Sequence, residues 1–518
     1  MIRNRKILSV LLILFFVEGA FAQQKEKPLS LEECILQALK NNLSLAVQVL
    51  NPELADISVS RASERFYPSL SFGFSTENTN EASYSWIQSE EQINAESNDY
   101  SIQLSQLIPA GGSFSIGLGS NKSKSNQKLL SVNPRYSTRL SFNFSQPLLK
   151  DFGFKVSRRE IIVAQNNRDI SESQLRGILM DTIYNVEKAY WDLTYSIENL
   201  KVKRQSLELA RDLLAKNKKE VEVGTMAPIE VLSAQAEVAS READIIQAEA
   251  LVKNNEDNLK TIINLAAWEN DIEVKIVPAD KPSFEKKEIS LEEALLTAME
   301  NRPDLQATKV DLNNKEIDLS FAKNQLLPDL RLSASYWSPG LSGTQFIFDP
   351  RDPFGGPIGS YAGKPSDALR DTLNFKFKNW SVDITLSIPL HTVLSRAQYA
   401  QAKVSLEQAT LSLKNQEQQV YLEIRNAVRA VQTNYERVQA YRVARELADK
   451  KLEAEQKKLK VGLTTNYVVL NYQRDLADAQ SSELRAVIDY NLSLADLERA
   501  MGTSLNRKNI KITEIMRE

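Results

Sequence analysis

The sequence predicts an α+β chain in which long helices alternate with short strands, the whole design being laid down twice. Three observations predict it. An opening motif returns at a fixed offset, two long proline-free stretches carry heptad spacing, and six short segments alternate apolar with small or polar residues. Two copies are fewer than a self-sufficient stack of repeats uses, so the units are expected to close by oligomerising.

The chain has 518 residues, enough for several ordinary domains. Arg3, Arg5 and Lys6 precede an apolar run from Ile7 to Val17, and Ala20-Phe21-Ala22 offers a small-residue cleavage site before Gln23. That is the layout of a secretory signal, expected to be removed as residues 1–22. The run is too short for a spanning helix, which takes about 20 residues. Removal moves the net charge from −3 to about −5. Such a balance offers no basic stripe for nucleic acid. The lone cysteine, Cys34, lies beyond the cleavage site among helical apolar positions, which marks a buried thiol. One cysteine allows no internal disulfide.

Ser30-Leu31-Glu32-Glu33 returns as Ser290-Leu291-Glu292-Glu293, and Phe66-Tyr67-Pro68-Ser69-Leu70 is answered by Leu326-Leu327-Pro328-Asp329-Leu330. The offset is 260 residues at both places, so no insertion separates them. Further on, Gln146-Pro147-Leu148 parallels Ile388-Pro389-Leu390, and Val223-Gly224-Thr225 parallels Val461-Gly462-Leu463, at offsets of 242 and 238. The expected organisation is a first copy over 23–265 with strands at about 69–146, a linker over 266–289, a second copy over 290–502 with strands at about 329–388, and a tail over 503–518.

Leu179, Ile183, Val186, Tyr190, Leu193, Ile197 and Leu200 are spaced alternately four and three apart, as are Val420, Ile424, Ala427, Val431, Asn434, Val438 and Tyr441. This is a coiled-coil seam with charged flanks; an ordinary bundle helix is the competing reading. Length favours the seam. From about Ser157 to Val223, and again from about Val393 to Val461, no proline interrupts. Each helix would then span roughly 100 Å at 1.5 Å per residue. Shorter helices are expected over about Leu45 to Phe66, Ala227 to Leu265, Leu305 to Leu327 and Asn466 to Met501. Each short pair sums to nearly one long helix, so two stacked short helices can lie beside it as the wall of a tube.

Strands are expected at Ser69–Glu77, Ser101–Ile108, Ser113–Ser120, Arg139–Gln146, Asp329–Tyr336 and Trp380–Ile388, where the apolar period changes to two. The apolar side suits either the core of a soluble sandwich or the lipid side of a membrane barrel, and the pattern alone leaves both open. No other stretch has the length of a spanning helix, so entry into a bilayer would require a closed barrel. Six strands do not close a wide barrel by themselves; three subunits would. Pro68, Pro147, Pro328 and Pro389 stand at the four helix–strand junctions, where a fixed φ ends either element. Polar stretches at about 78–98, 121–135 and 338–376 are expected to be exposed loops.

At this point the residues resemble the TolC-type outer-membrane efflux protein family. The paired Ser-Leu-Glu-Glu openings, the junction prolines, and the Val-Gly-Thr and Val-Gly-Leu-Thr turns carry the resemblance, over about 30 to 503. It implies a homotrimer with a transmembrane β-barrel continuous with a long periplasmic α-helical barrel, and a mixed equatorial region at 266–289 and the C-terminal tail. It also implies an outer-membrane location, a periplasmic adaptor protein and, through it, an inner-membrane transporter. By the same resemblance the hairpin tips Val223, Gly224, Thr225, Val461, Gly462, Leu463 and Thr464 are candidate adaptor contacts. Their glycines also simply allow a helix to reverse. Some members narrow the entrance with aspartate rings after the second tip glycine. The matching positions here are Val468 and Asn471, so the candidate constriction is apolar or amide. The usual four strands per subunit become six here, the extra pair turning at Pro109-Ala110-Gly111-Gly112.

Nothing points to an enzyme. His391 is the only histidine, and neither Cys-x-x-Cys nor His-Glu-x-x-His occurs, so no metal site is expected. Gly359 to Lys364 is one residue short of a phosphate loop and runs into Pro365. No cofactor is expected. The functions compatible with the residues are an export conduit, an uncoupled porin that needs no adaptor, and a soluble periplasmic coiled-coil scaffold.

Overall fold

The computed structural model describes residues 26–84, 91–128, 130–265, 274–352 and 355–510. The expected signal at 1–22, the first part of the 266–289 linker and the end of the 503–518 tail lie outside them. The chain divides into two units, a helical one (up to Asn51, Glu172–Ala307 and from Lys414 on) and a sheet unit (Pro52–Ser171 and Thr308–Leu413).

Elements follow in the order β1 (Glu26–Leu29), α1 (Leu31–Asn41), α2 (Leu43–Glu64), β2 (Ser69–Ala82), β3 (Gln92–Leu107), β4 (Ser113–Ser125), β5 (Val132–Pro147), α3 (Phe154–Ser157), α4 (Arg159–Glu222) and α5 (Pro228–Ile263). Then come β6 (Lys275–Pro278), α6 (Leu291–Asn301), α7 (Pro303–Asn324), β7 (Asp329–Ile347), β8 (Gly359–Ala362), α8 (Pro365–Leu373), β9 (Asn379–Ser387), α9 (Val393–Lys460), α10 (Asn466–Ala500) and α11 (Ser504–Arg507). Helix ends fall within a few residues of the expected positions because the signals for them are local. Ser30 caps α1 in a reciprocal capping box with Glu33, and Ser290 accepts from the Glu293 amide at the start of α6.

In the helical unit the expected seam is the core. Leu179, Ile183, Val186, Tyr190 and Leu193 of α4 are buried, as are Val420, Ile424, Ala427, Val431 and Val438 of α9. Cys34 is fully buried there, and burial, with nearby Glu33, pushes its thiol up to about 12. A feature the sequence reading missed lies within the expected linker. β6 pairs in parallel with β1, Glu26 opposite Lys275 through Leu29 opposite Pro278. The Tyr190 hydroxyl ties that ladder to α4, lying 3.2 Å from the Leu29 carbonyl and 3.0 Å from Asp280 Oδ2.

In the sheet unit, one sheet runs β2-β3-β4-β5-β7, with β9 and β8 on the far side of β7. The extra β3–β4 hairpin is therefore an in-line part of this sheet. The strands also overrun the expected loops: β2 and β3 pair as far out as Ala82 opposite Gln92, and β7 runs on to Ile347. The correction has a plain cause. Outer segments rich in Asn, Ser and Lys are polar on both faces, so they lack the period that betrays a strand, yet a neighbour satisfies their backbone equally well. The stretch read as a loop at 338–376 likewise holds β8 and α8.

Register sorts the sheet into two unlike faces. Leu70, Phe72 and Phe74 of β2 lie opposite Leu104, Ile102 and Tyr100 of β3, and the same face continues through Phe114, Ile116 and Leu118, then Leu140, Phe142 and Phe144. Trp380, Val382, Ile384 and Leu386 of β9 complete it. The opposite face is Ser, Gly, Asn and Thr, including Ser71, Ser101, Gly117, Ser141 and Ser333.

Candidate functional site

Two features of the fold are candidates for function: the helical tips and the apolar sheet face. The tips are built alike. At the first, the Gly224 amide donates to Val221 O (3.0 Å) and the Thr225 amide to Glu220 O (2.9 Å). At the second, Gly462 donates to Leu459 O (3.1 Å) and Leu463 to Lys458 O (3.0 Å). Both are Schellman closures, which need a left-handed residue, and φ is +76° at Gly224 and +74° at Gly462. No neighbour would meet a Cβ at either glycine, so conformation alone demands glycine there. The closure carries the chain into α5 and α10 respectively.

The tips hold their apolar side chains outward. Val223, Val461 and Leu463 are 72%, 69% and 76% exposed. Behind them, Ala210, Leu213, Ala234, Leu452, Val469 and Leu470 pack together, and Asn466 Nδ2 lies 3.4 Å from Met226 Sδ, which joins the first tip to the second. A hydrogen bond with Thr464, then one with Lys458, holds the Glu455 carboxyl below its ordinary value. Val468 and Asn471 are half-buried in the first turns of α10, while their neighbours Val469 and Leu470 face the packed interior.

Sequence reasoning missed what braces the tips. Arg241 on α5 is 4% exposed, and its guanidinium donates to Ser206 O (2.6 Å), Leu470 O (2.9 Å), Gln473 Oε1 (3.3 Å) and Glu237 Oε1 (2.9 Å). Glu237 also pairs with Arg474. One cation thus stitches α4, α5 and α10. In sequence it is one more charge on a charged helix, and only partners far along the chain distinguish it.

The four prolines belong to the sheet unit. Pro68 and Pro328 immediately precede β2 and β7, Pro147 ends β5, and Pro389 follows β9 by two residues. Leu148 donates to Leu330 O at 2.7 Å, carrying the pairing past Pro147. The prolines and the tips are thus separate sites, one set in each unit.

The sheet face is unusual for an unpartnered chain. Phe72 is 72% exposed, Phe74 64%, Trp380 73% and Ile384 70%, all on one face. Among the described residues, β2 pairs only with β3, and β9 only with β7, so both margins of the sheet keep unpaired backbone. Water does not favour so large an apolar face. No helix among the described residues is long and apolar enough to cross a membrane, and they contain no cluster of His, Cys, Asp and Glu suited to a metal.

Comparison with known proteins decides the family. The model of the family described as outer membrane efflux protein matches residues 92–265 and 294–503. The chain belongs to the outer membrane efflux protein family. It is similar to the outer membrane protein TolC of Vibrio cholerae, 24% identical over 402 residues, covering 77% of this chain and 83% of that one. A shorter match, 23% identical over 215 residues, is to the cobalt-zinc-cadmium resistance protein CzcC of Cupriavidus metallidurans, covering 40% of this chain and 47% of the relative. Among solved structures, the outer-membrane channel OprN superposes with a TM-score of 0.65 at 18% identity, covering 92% of this chain and 90% of that one. The Campylobacter jejuni CmeC outer membrane channel gives 0.64 at 17% identity, with 94% and 89% covered. This efflux-family chain is accordingly an outer-membrane channel protein with a periplasmic extension and a role in efflux. OprN and CmeC are outer-membrane channels, and this chain shares their fold.

Proposed function

We propose that three copies of this chain form one duct, which conducts cargo passively from a periplasmic adaptor and inner-membrane pump to the cell exterior, in efflux or type I secretion. The observation that carries the reading is the sheet: an exposed apolar face across six long strands, bounded by two unpaired edges. Lipid is the solvent that suits such a face, and closure on neighbouring copies satisfies the edges. Three copies would give a barrel of 18 long strands, in the porin range where the lumen holds water. The Ser- and Gly-rich face would line that lumen.

The two halves of the chain support a duplicated design. α1 and α6 both have 11 residues, α2 and α7 both have 22, and α5 and α10 have 36 and 35. Exposed Val223, Val461 and Leu463 around rigid glycine turns suit the docking of an adaptor hairpin. Val468 and Asn471, half-buried near the second tip, are the proposed constriction. The proposed equatorial region is the β1–β6 ladder with α11.

Two measurements test this. Sedimentation of the detergent-solubilised protein should give the mass of three chains; a lone chain would overturn the duct. Gly224→Pro with Gly462→Pro forbids the left-handed turn at each tip. The double variant should keep the trimer and lose capture of a periplasmic adaptor together with export. Unchanged capture and export would take the tips out of adaptor docking, and a native chain that captures no adaptor would be an uncoupled porin. Recovery in the soluble periplasmic fraction would instead favour a scaffold.

A further inference from the structure

The apolar face of the sheet is interrupted in one place. On β7 the residues of that face change, outward along the strand, from Tyr336 to Ser338, Gly340 and Ser342, and on β5 Thr138 stands between Leu140 and Tyr136. A strip of small and polar side chains facing lipid would be costly. It does not stay open. Thr138 is 5% exposed and Ser338 fully buried, because α8 lies on them.

The seat is specific. The Thr138 hydroxyl donates to the Ala368 carbonyl at 2.8 Å and also meets the Thr372 hydroxyl. Ala368 and Thr372, one turn apart, are fully buried. A Cβ on Gly340 would run into the Ala368 carbonyl, so the helix backbone lies directly on that glycine. Phe375, just past the helix, packs its ring 6.4 Å from Phe142 and 6.0 Å from Tyr336. This places α8 on the face that the proposed duct turns to lipid.

What α8 presents outward differs from an ordinary loop. Leu369, Leu373 and Phe377 are 38%, 51% and 49% exposed, continuing the apolar face over the covered strip. The same segment, from Lys364 to Lys378, carries four cations, Lys364, Arg370, Lys376 and Lys378, against two carboxylates, Asp367 and Asp371. Both acids are already engaged, Asp367 by Arg370 at 2.6 Å and Asp371 by Lys376 at 2.7 Å, so the segment carries a surplus of positive charge.

We propose that α8 with its flank through Lys378 is a lipid-contact element at the outer rim of the barrel. Its leucines and phenylalanine sit in the acyl boundary, and its lysines meet anionic phosphate headgroups. Apolar side chains beside basic ones are the signature of a helix lying in the interface plane. The two observations that commit it to lipid are its continuity with the apolar face and its charge. The inference rests on the lipid-facing reading of the sheet, and the experiment separates the two.

Single cysteines at Leu373, Val382 and Ser71 of the full chain are labelled with a nitroxide; native Cys34 is buried and does not compete. The proteins are reconstituted in vesicles of phosphatidylcholine and phosphatidylglycerol, and spin relaxation by oxygen is compared with relaxation by a water-soluble nickel chelate. The Leu373 label should favour oxygen, as the Val382 label does, while the Ser71 label favours nickel. If Val382 also favours nickel, the lipid-facing sheet itself is wrong. If Val382 favours oxygen but Leu373 favours nickel, α8 faces water or protein and the inference falls. Gly340→Leu lifts α8 off its seat and should shift the Leu373 label towards nickel without moving Val382. An unmoved Leu373 label in that variant would overturn the seating on Gly340.

Discussion

The helical unit and the sheet unit place their apolar residues in opposite ways. Along α4 and α9 the seam residues are buried, and the charged flanks face outward. In the sheet the large apolar side chains face outward from the single chain, and the small polar ones occupy the other face. On the proposed reading of the sheet, one sequence therefore writes for two solvents. A helix surrounded by water hides its stripe against another helix, whereas a sheet destined for hydrocarbon displays its apolar face. The difference teaches that exposure, taken alone, misleads. Ile384 at 70% exposed and Leu193 at zero both do what their surroundings ask.

Substitutions that exchange the two rules should break this comparison most. Leu193→Ala opens a cavity in the helical seam and should cost about 2–5 kcal/mol, read as a lower denaturation midpoint of the helical signal. Ile384→Ala should change stability far less, because lipid fills the gap that alanine leaves. If both cost the same, the sheet face is packed against protein. Ile384→Arg on the apolar face should cost about 2–4 kcal/mol near the bilayer centre, measured by equilibrium unfolding in vesicles. Ser71→Arg, on the opposite face, should leave that equilibrium nearly unchanged and alter ion selectivity in single-channel recordings instead. Equal costs for the two arginines would erase the distinction between faces.

The smallest effect sharpens the contrast within the helical unit. Burial alone would raise the Asp304 carboxyl, but its hydrogen bond and charge with Arg302, 2.7 Å away, outweigh that and hold it below its ordinary value. Its contribution to stability is present above the unfolded value, near 4, and is lost as pH falls below it. At Glu187, burial raises the carboxyl and outweighs Lys508 at 2.8 Å. There the contribution is present below the unfolded value and is lost as pH rises through the folded one. Asp304→Asn should therefore flatten the acid side of the stability profile, and Glu187→Gln the limb just above the ordinary carboxylate range. Unaltered slopes in both would mean that neither carboxyl is perturbed in the folded protein.

How much was legible depends on the distance of the partners. Ser30 with Glu33 and the glycines of the two tips announce their roles within five residues, since caps and turns are local. The α4 seam was legible as a period. The β1–β6 ladder was not, because Glu26 and Lys275 carry no mark that they meet. The outer halves of β2 and β3 gave no strand signal, since polar residues on both faces leave no period to detect, and in β7 the Pro339, Gly340 and Gly343 positions read as turn formers.

Sequence alone thus determined the long helices, the ends of the elements, the strand segments with one apolar face and the glycine turns, each governed by interactions a few residues apart. Tertiary structure decided the rest: that the β3–β4 hairpin joins the sheet in line, that Arg241 is a buried brace, and that α8 covers a polar strip on an apolar face. Those outcomes depend on which distant backbone or carbonyl comes within hydrogen-bonding reach, and only folding brings it there.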